Sequence, residues 1–139
     1  PSPPLPRGGE GGVTIFYGSD QGIASHRDLG NAIFASPFAV DKELPRATAF
    51  AQKFREAFKE EPDAHAALAY DGIRLYVEAM RRAQTPFGER VLEALRKTQD
   101  FQGLTGPVTF EKDLHSRRPV FVGQRDRNAF NALKRYDFK

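Results

Sequence analysis

The run Phe101-Gln102-Gly103-Leu104-Thr105-Gly106-Pro107-Val108-Thr109-Phe110 constrains this chain more than any other stretch of it. Two glycines three residues apart, with Thr105 before the second, form a tight turn that needs backbone angles most residues avoid. Pro107 then fixes one torsion, and Val108-Thr109-Phe110 leaves the turn as a short extended run. A helical block must therefore stop before Phe101, and a strand must follow Gly106.

Upstream, the apolar period becomes helical from Leu44. Ala47, Phe50, Ala51, Phe54, Ala57 and Phe58 fall at three- and four-residue spacings, with Lys53, Arg55, Glu56 and Lys59 outside. Pro62 breaks this helix and Asp63 is placed to cap the next, which runs to about Ala83 with Ala66, Ala69, Ile73, Val77 and Met80 along one face. Thr85-Pro86 reads as the cap and first position of a third helix reaching Thr98, with Phe87, Val91, Leu92 and Leu95 as its apolar face. Shared faces predict that Phe50, Phe54, Phe58, Ile73, Val77, Leu92 and Leu95 are all core or interface residues. Strands are expected at Val13–Tyr17, at Ala32–Ala35 (closed by Ser36-Pro37-Phe38), at Val108–Phe110 and at Pro119–Val122, with Asn128–Tyr136 as a last helix. Residues 1–12 hold four prolines and four glycines and read as a disordered leader or linker. Strands before and after a helical block make an α/β arrangement. Few of its helix faces have a partner within the chain, so a fragment of a larger body, or self-association, is expected.

Composition excludes more than it suggests. With 139 residues, the chain is the size of one domain with one modest core. Twelve phenylalanines and no tryptophan supply the large apolar volume. A net charge of +3 is too small to argue for a nucleic-acid partner. The absence of cysteine excludes disulfides, thiol nucleophiles and zinc–thiolate sites. No run approaches the ~20 apolar residues that span a bilayer, and no basic segment followed by an apolar one marks a signal peptide.

A helix carrying Ala69-Tyr70-Asp71-Gly72, a second helix, and then Phe101-Gln102-Gly103-Leu104-Thr105-Gly106-Pro107-Val108-Thr109-Phe110 form an ordered set. That set resembles the C-terminal half of type I periplasmic solute-binding proteins, the branched-chain amino-acid and amide receptors of ABC importers. The resemblance covers about Val13 to Gln124. It implies part of that α/β fold over residues 13–139, with three main helices packed on short, mostly parallel strands. Val13 to about Ala35 would belong to one lobe and Asp41 to about Thr105 to the other, with Ser36-Pro37-Phe38 and the stretch after Phe110 crossing between them. It further implies binding of a small polar ligand between lobes, a permease or signalling partner, and a periplasmic or extracellular location. A signal sequence would be missing because the chain starts partway through the family's pattern.

The candidate site is Phe16-Tyr17-Gly18-Ser19-Asp20-Gln21-Gly22. A strand ending in a glycine turn puts the next polar side chains at the sheet's carboxyl edge, where open α/β folds bind ligands. The segment also resembles a Gly-Ser-Asp-Gly turn in relatives of these receptors. There the acid matched by Asp20 holds the ligand's α-ammonium group, a charge-assisted bond suited to a closed cleft. The plainer role for Asp20 is an Asx-turn or a helix cap. Ser19 and Gln21 are secondary candidates, Gln21 standing where the relatives commonly have glycine. Tyr70 and Asp71 are read as structural, a packed aromatic with a bonded hydroxyl and a carboxylate bonding a neighbouring loop. His26, His65 and His115 lie apart without ligand spacing, so neither metal nor cofactor is expected. No serine elbow, phosphate loop or paired carboxylates indicate an enzyme. Two alternatives are a sensory domain fused to an output module, with residues 1–12 as linker, and a small enzyme whose activity would fall on Asp20→Ala.

Overall fold

The computed structural model describes residues 33–137 except 41, 42, 87, 112, 114, 127 and 128. The expected strand Val13–Tyr17 and the leader over residues 1–12 lie outside them. In chain order the elements are β1 (Ile33–Ser36), α1 (Pro45–Phe58), α2 (Ala64–Ala83), α3 (Glu89–Arg96), β2 (Phe101–Gln102), β3 (Pro107–Phe110), β4 (Ser116–Arg117), β5 (Val120–Asp126) and β6 (Ala129–Tyr136).

Local chemistry explains most of the boundaries. The Ser36 hydroxyl closes β1 by donating to the Phe38 carbonyl (2.9 Å) and accepting from the Phe38 N–H (3.2 Å). Pro45 opens α1, and Lys59, left-handed at φ 61°, ends it before Pro62 is reached. The Asp63 carboxylate caps α2 as expected, accepting from the Ala66 N–H at 2.8 Å. Thr85-Pro86 does not start the third helix; Gly88 precedes it and Glu89 begins it. The reason is that both residues finish α2 instead: the Thr85 N–H bonds the Met80 carbonyl at 3.3 Å and the Tyr76 hydroxyl donates to the Pro86 carbonyl at 3.4 Å.

The described strands form two three-stranded sheets, β1-β5-β6 and β2-β3-β4. All four described pairings are antiparallel, which corrects the expectation of mostly parallel strands. From Phe101 to Tyr136 only short connections separate the strands, and parallel neighbours need a crossover of roughly a dozen residues or more. The expected last helix is also corrected. Ala129–Tyr136 is a strand paired along β5, with the register shifting between Val122 and Gly123. Pairing with β5 satisfies its backbone, which a helical reading of the segment alone could not anticipate.

The main core joins Phe38, Ala39 and Leu44 to Ala47, Ala64, Ala67, Leu104 and Phe121. Phe121, which is 1% exposed, packs in this cluster with alanines of α1 and α2. A second cluster holds Leu75, Phe101 and Val108, with Leu95 and Phe110 against it. The helix faces differ from expectation. Phe50, Phe54 and Leu95 are partly buried, but Phe58 (64% exposed), Ile73 (68%), Val77 and Leu92 are on the surface. In α2 the buried residues are Ala64, Ala67, Leu75 and Ala79. The helix is rotated so that Asp71 lies in the row 67-71-75-79.

Candidate functional site

Asp20, Ser19 and Gln21 lie outside the described residues. Among the described residues, polar chemistry gathers where α2 meets the glycine turn. Asp71 sits four residues from Ala67 and from Leu75, so a carboxylate occupies the inward row of an otherwise apolar face. Its Oδ2 accepts the Leu104 N–H at 2.8 Å, the loop bond expected of it. Gly103 is there for space: a Cβ on it would stand 2.7 Å from Asp71 Oδ2 and 3.2 Å from the Gly106 carbonyl oxygen. Gly106 is there for conformation as well, with φ +130°. Its own Cβ would meet Pro119 at 2.9 Å and the Arg135 guanidinium at 2.8 Å. The turn closes through the Gly103 N–H on the Gly106 carbonyl at 3.1 Å. Thr105, itself buried, donates its hydroxyl to the Pro37 carbonyl at 3.3 Å.

Guanidinium groups brace the same turn. Arg46 of α1 and Arg74 of α2 both donate to the Gln102 carbonyl, at 2.6 and 3.3 Å. Arg74 also reaches Asp71 at 3.5 Å and lies over the Phe101 and Tyr70 rings, at 5.2 and 5.7 Å from their centroids. Burial pushes the Asp71 carboxyl above its ordinary value, against the pull of the Leu104 N–H and of Arg74 and Arg118. Burial likewise lowers Arg118, with Asp71 opposing it. Sequence reasoning singled out Asp71 but none of these arginines. Only Arg74, three residues after Asp71, carried a local signal.

A groove of about 500 Å³ runs along α1 and α2 beside the turn, lined by Arg46, Lys53, Arg74, Leu104 and an aromatic row. In that row Phe50 stacks on Tyr70 at 5.0 Å and on Phe54 at 5.7 Å, and Phe54 meets Phe58 at 4.6 Å. Tyr70 is therefore a packed aromatic, but it is 45% exposed, and its hydroxyl has no hydrogen-bond partner among the described residues, unlike the bonded hydroxyl expected. The tertiary exposure of this helix face, invisible in the sequence, opens the hydroxyl to solvent. His65 and His115 are exposed, His115 bonding Asp113 at 2.8 Å, while His26 lies outside the described residues. Among the described residues, no group of three His, Asp or Glu side chains could hold a metal ion. No described helix is long and apolar enough to cross a membrane.

A sequence model of the family described as "Periplasmic binding protein" matches residues 8–129. The chain belongs to the periplasmic binding protein family. Solved structures of this family carry the same fold. A leucine-binding protein, LivK, from Thermotoga maritima is 22% identical, with a TM-score of 0.71 over 91% of this chain and 38% of its own. The branched-chain amino-acid transporter substrate-binding protein LivJ from Streptococcus pneumoniae, solved with isoleucine, is 31% identical, with a TM-score of 0.64 over 73% of this chain and 29% of its own. A solute-binding protein of an ABC transporter from R. palustris, solved with benzoate, is 16% identical, with a TM-score of 0.66 over 75% of this chain and 29% of its own. The chain thus spans between about a quarter and two fifths of these relatives' length. The three described helices and small sheets are part of a type I periplasmic-binding-protein fold, and the matched region includes both the Asp20 segment and the Asp71–turn junction.

Proposed function

We propose that this chain is part of the extracytoplasmic solute receptor of an ABC importer, in which two lobes close on a small polar ligand such as an amino acid or amide. The observation that carries this reading is the family match over residues 8–129. The leucine-binding and isoleucine-bound relatives favour an amino acid, and the benzoate-bound one is a relative of the same fold that holds an aromatic carboxylate instead. Work of this kind is binding, not catalysis: different affinities for open and closed forms let the ligand signal its presence to a permease or signalling partner, outside the cytoplasm.

Within this reading Asp20 receives the ligand's ammonium group, with Ser19 and Gln21 beside it. Asp20→Asn keeps the shape and removes the charge, at a cost of about 1.5–3 kcal/mol, roughly ten- to a hundredfold in affinity. Calorimetry with leucine and isoleucine, on a protein carrying both lobes, measures this. Unchanged affinity, or a lowered melting point without ligand, assigns Asp20 to the turn alone.

A further inference from the structure

The glycine turn touches more of the fold than a connector needs to. On one side the Leu104 N–H is held by Asp71, and Gly103 leaves room for that carboxylate, whose Oδ2 would stand 2.7 Å from a Cβ. On the other side, Thr105 holds the Pro37 carbonyl, directly after β1, and Gly106 lies against Pro119 at the start of β5 and Arg135 on β6. Two consecutive residues, Leu104 through its N–H and Thr105 through its hydroxyl, therefore link α2 to the segment leaving β1. Arg46 and Arg74 fix the preceding residue, Gln102, through its carbonyl.

We propose that Asp71 is a positioning residue, the helix-side end of a latch that sets the conformation of Ser36-Pro37-Phe38 through Leu104 and Thr105. Asp71 and Gly103 work as a matched pair, because a Cβ at position 103 would press on the carboxylate oxygen that accepts the Leu104 N–H. Loss of the carboxylate frees the turn, and the freed turn releases the Pro37 carbonyl. The neighbouring Phe38 N–H, held by the Ser36 hydroxyl at 3.2 Å, reports that release. If Ser36-Pro37-Phe38 crosses between lobes, as the family resemblance implies, the latch fixes the hinge's resting geometry. That consequence rests on the receptor reading, but the latch itself does not.

Amide hydrogen exchange on the ligand-free chain tests it. Asp71→Ala is expected to speed exchange at Leu104 about tenfold or more, and at Phe38 in parallel. Asp71→Asn, which keeps an acceptor oxygen in place, restores both. Thr105→Val speeds Phe38 and leaves Leu104 protected. Gly103→Ala disturbs the turn less in the Asp71→Ala background than in the wild type, so the double-mutant cycle is non-additive. Unchanged Leu104 exchange in Asp71→Ala, a Phe38 amide that ignores both Asp71→Ala and Thr105→Val, or an additive cycle overturns the proposal. Should Asp71→Ala fail to fold, Asp71→Asn and Thr105→Val decide it by the same two amides. None of these readings involves a ligand, so they stand or fall separately from the Asp20 titration.

Discussion

The glycine turn and the outer faces of α1 and α2 lie side by side yet are built on opposite terms. At the turn, Leu104 is 4% exposed and Thr105 8%, and helix side chains hold both the Gln102 carbonyl and the Leu104 N–H. On the outer faces of α1 and α2, Phe58, Tyr70, Ile73, Tyr76 and Val77 stand on the surface. The contrast shows that apolar character alone did not choose which helix face turns inward. The inward row of α2 joins small apolar residues to a half-buried carboxylate that accepts the Leu104 N–H.

The sharpest test of this contrast exchanges one phenylalanine from each side. Phe121→Ala empties a site that is 1% exposed and is expected to cost about 3–5 kcal/mol. Phe58→Ala, at a position 64% exposed, is expected to stay within about 0.5 kcal/mol. Denaturant melts of the two variants compare them directly, and equal losses would mean that Phe58 is covered in solution, as in a self-associated form.

Glycines divide in the same way, with a smaller effect. Gly106→Ala strains a φ of +130° and drives a Cβ to 2.9 Å from Pro119, for a loss of about 1–3 kcal/mol. Gly72→Ala has nothing within 4 Å on an exposed helix face, and it is expected to gain about 0.5–1 kcal/mol. Thermal melts of opposite sign support the division; a destabilising Gly72→Ala breaks it.

The smallest effect is electrostatic. Asp71 has a folded pKa raised above its ordinary 3.8, so the stability linked to its neutral form is full below that value and lost as pH rises through the folded one. Wild type is therefore expected to lose stability relative to Asp71→Asn as pH climbs from about 4. The reverse slope would mean that Arg74 and Arg118 outweigh burial.

Much was legible in the residues themselves. The Asp63 cap, the β1 closure at Ser36, the turn at Gly106 and the loop bond of Asp71 follow from side chains and backbone groups a few residues apart, or from a motif whose parts occur in order. The misassigned elements share one cause. Thr85-Pro86 has good local chemistry for starting a helix, and Ala129–Tyr136 is not unsuited to forming one, but Met80 and Tyr76 claim the first and the β5 backbone claims the second.

From sequence alone came the family pattern, the three helices, the turn and the placing of Asp71 in structure, because each depends on short-range spacing and on residue types with narrow conformational choices. Only the tertiary structure decided the rotation of α2, the antiparallel pairing of the described strands, and the reason for Gly103. An apolar-face reading of α2 leaves out charged positions and so selects Ile73 and Val77. The folded chain instead turns inward the row of Ala67, Asp71, Leu75 and Ala79, where Asp71 accepts the Leu104 N–H from 33 residues away.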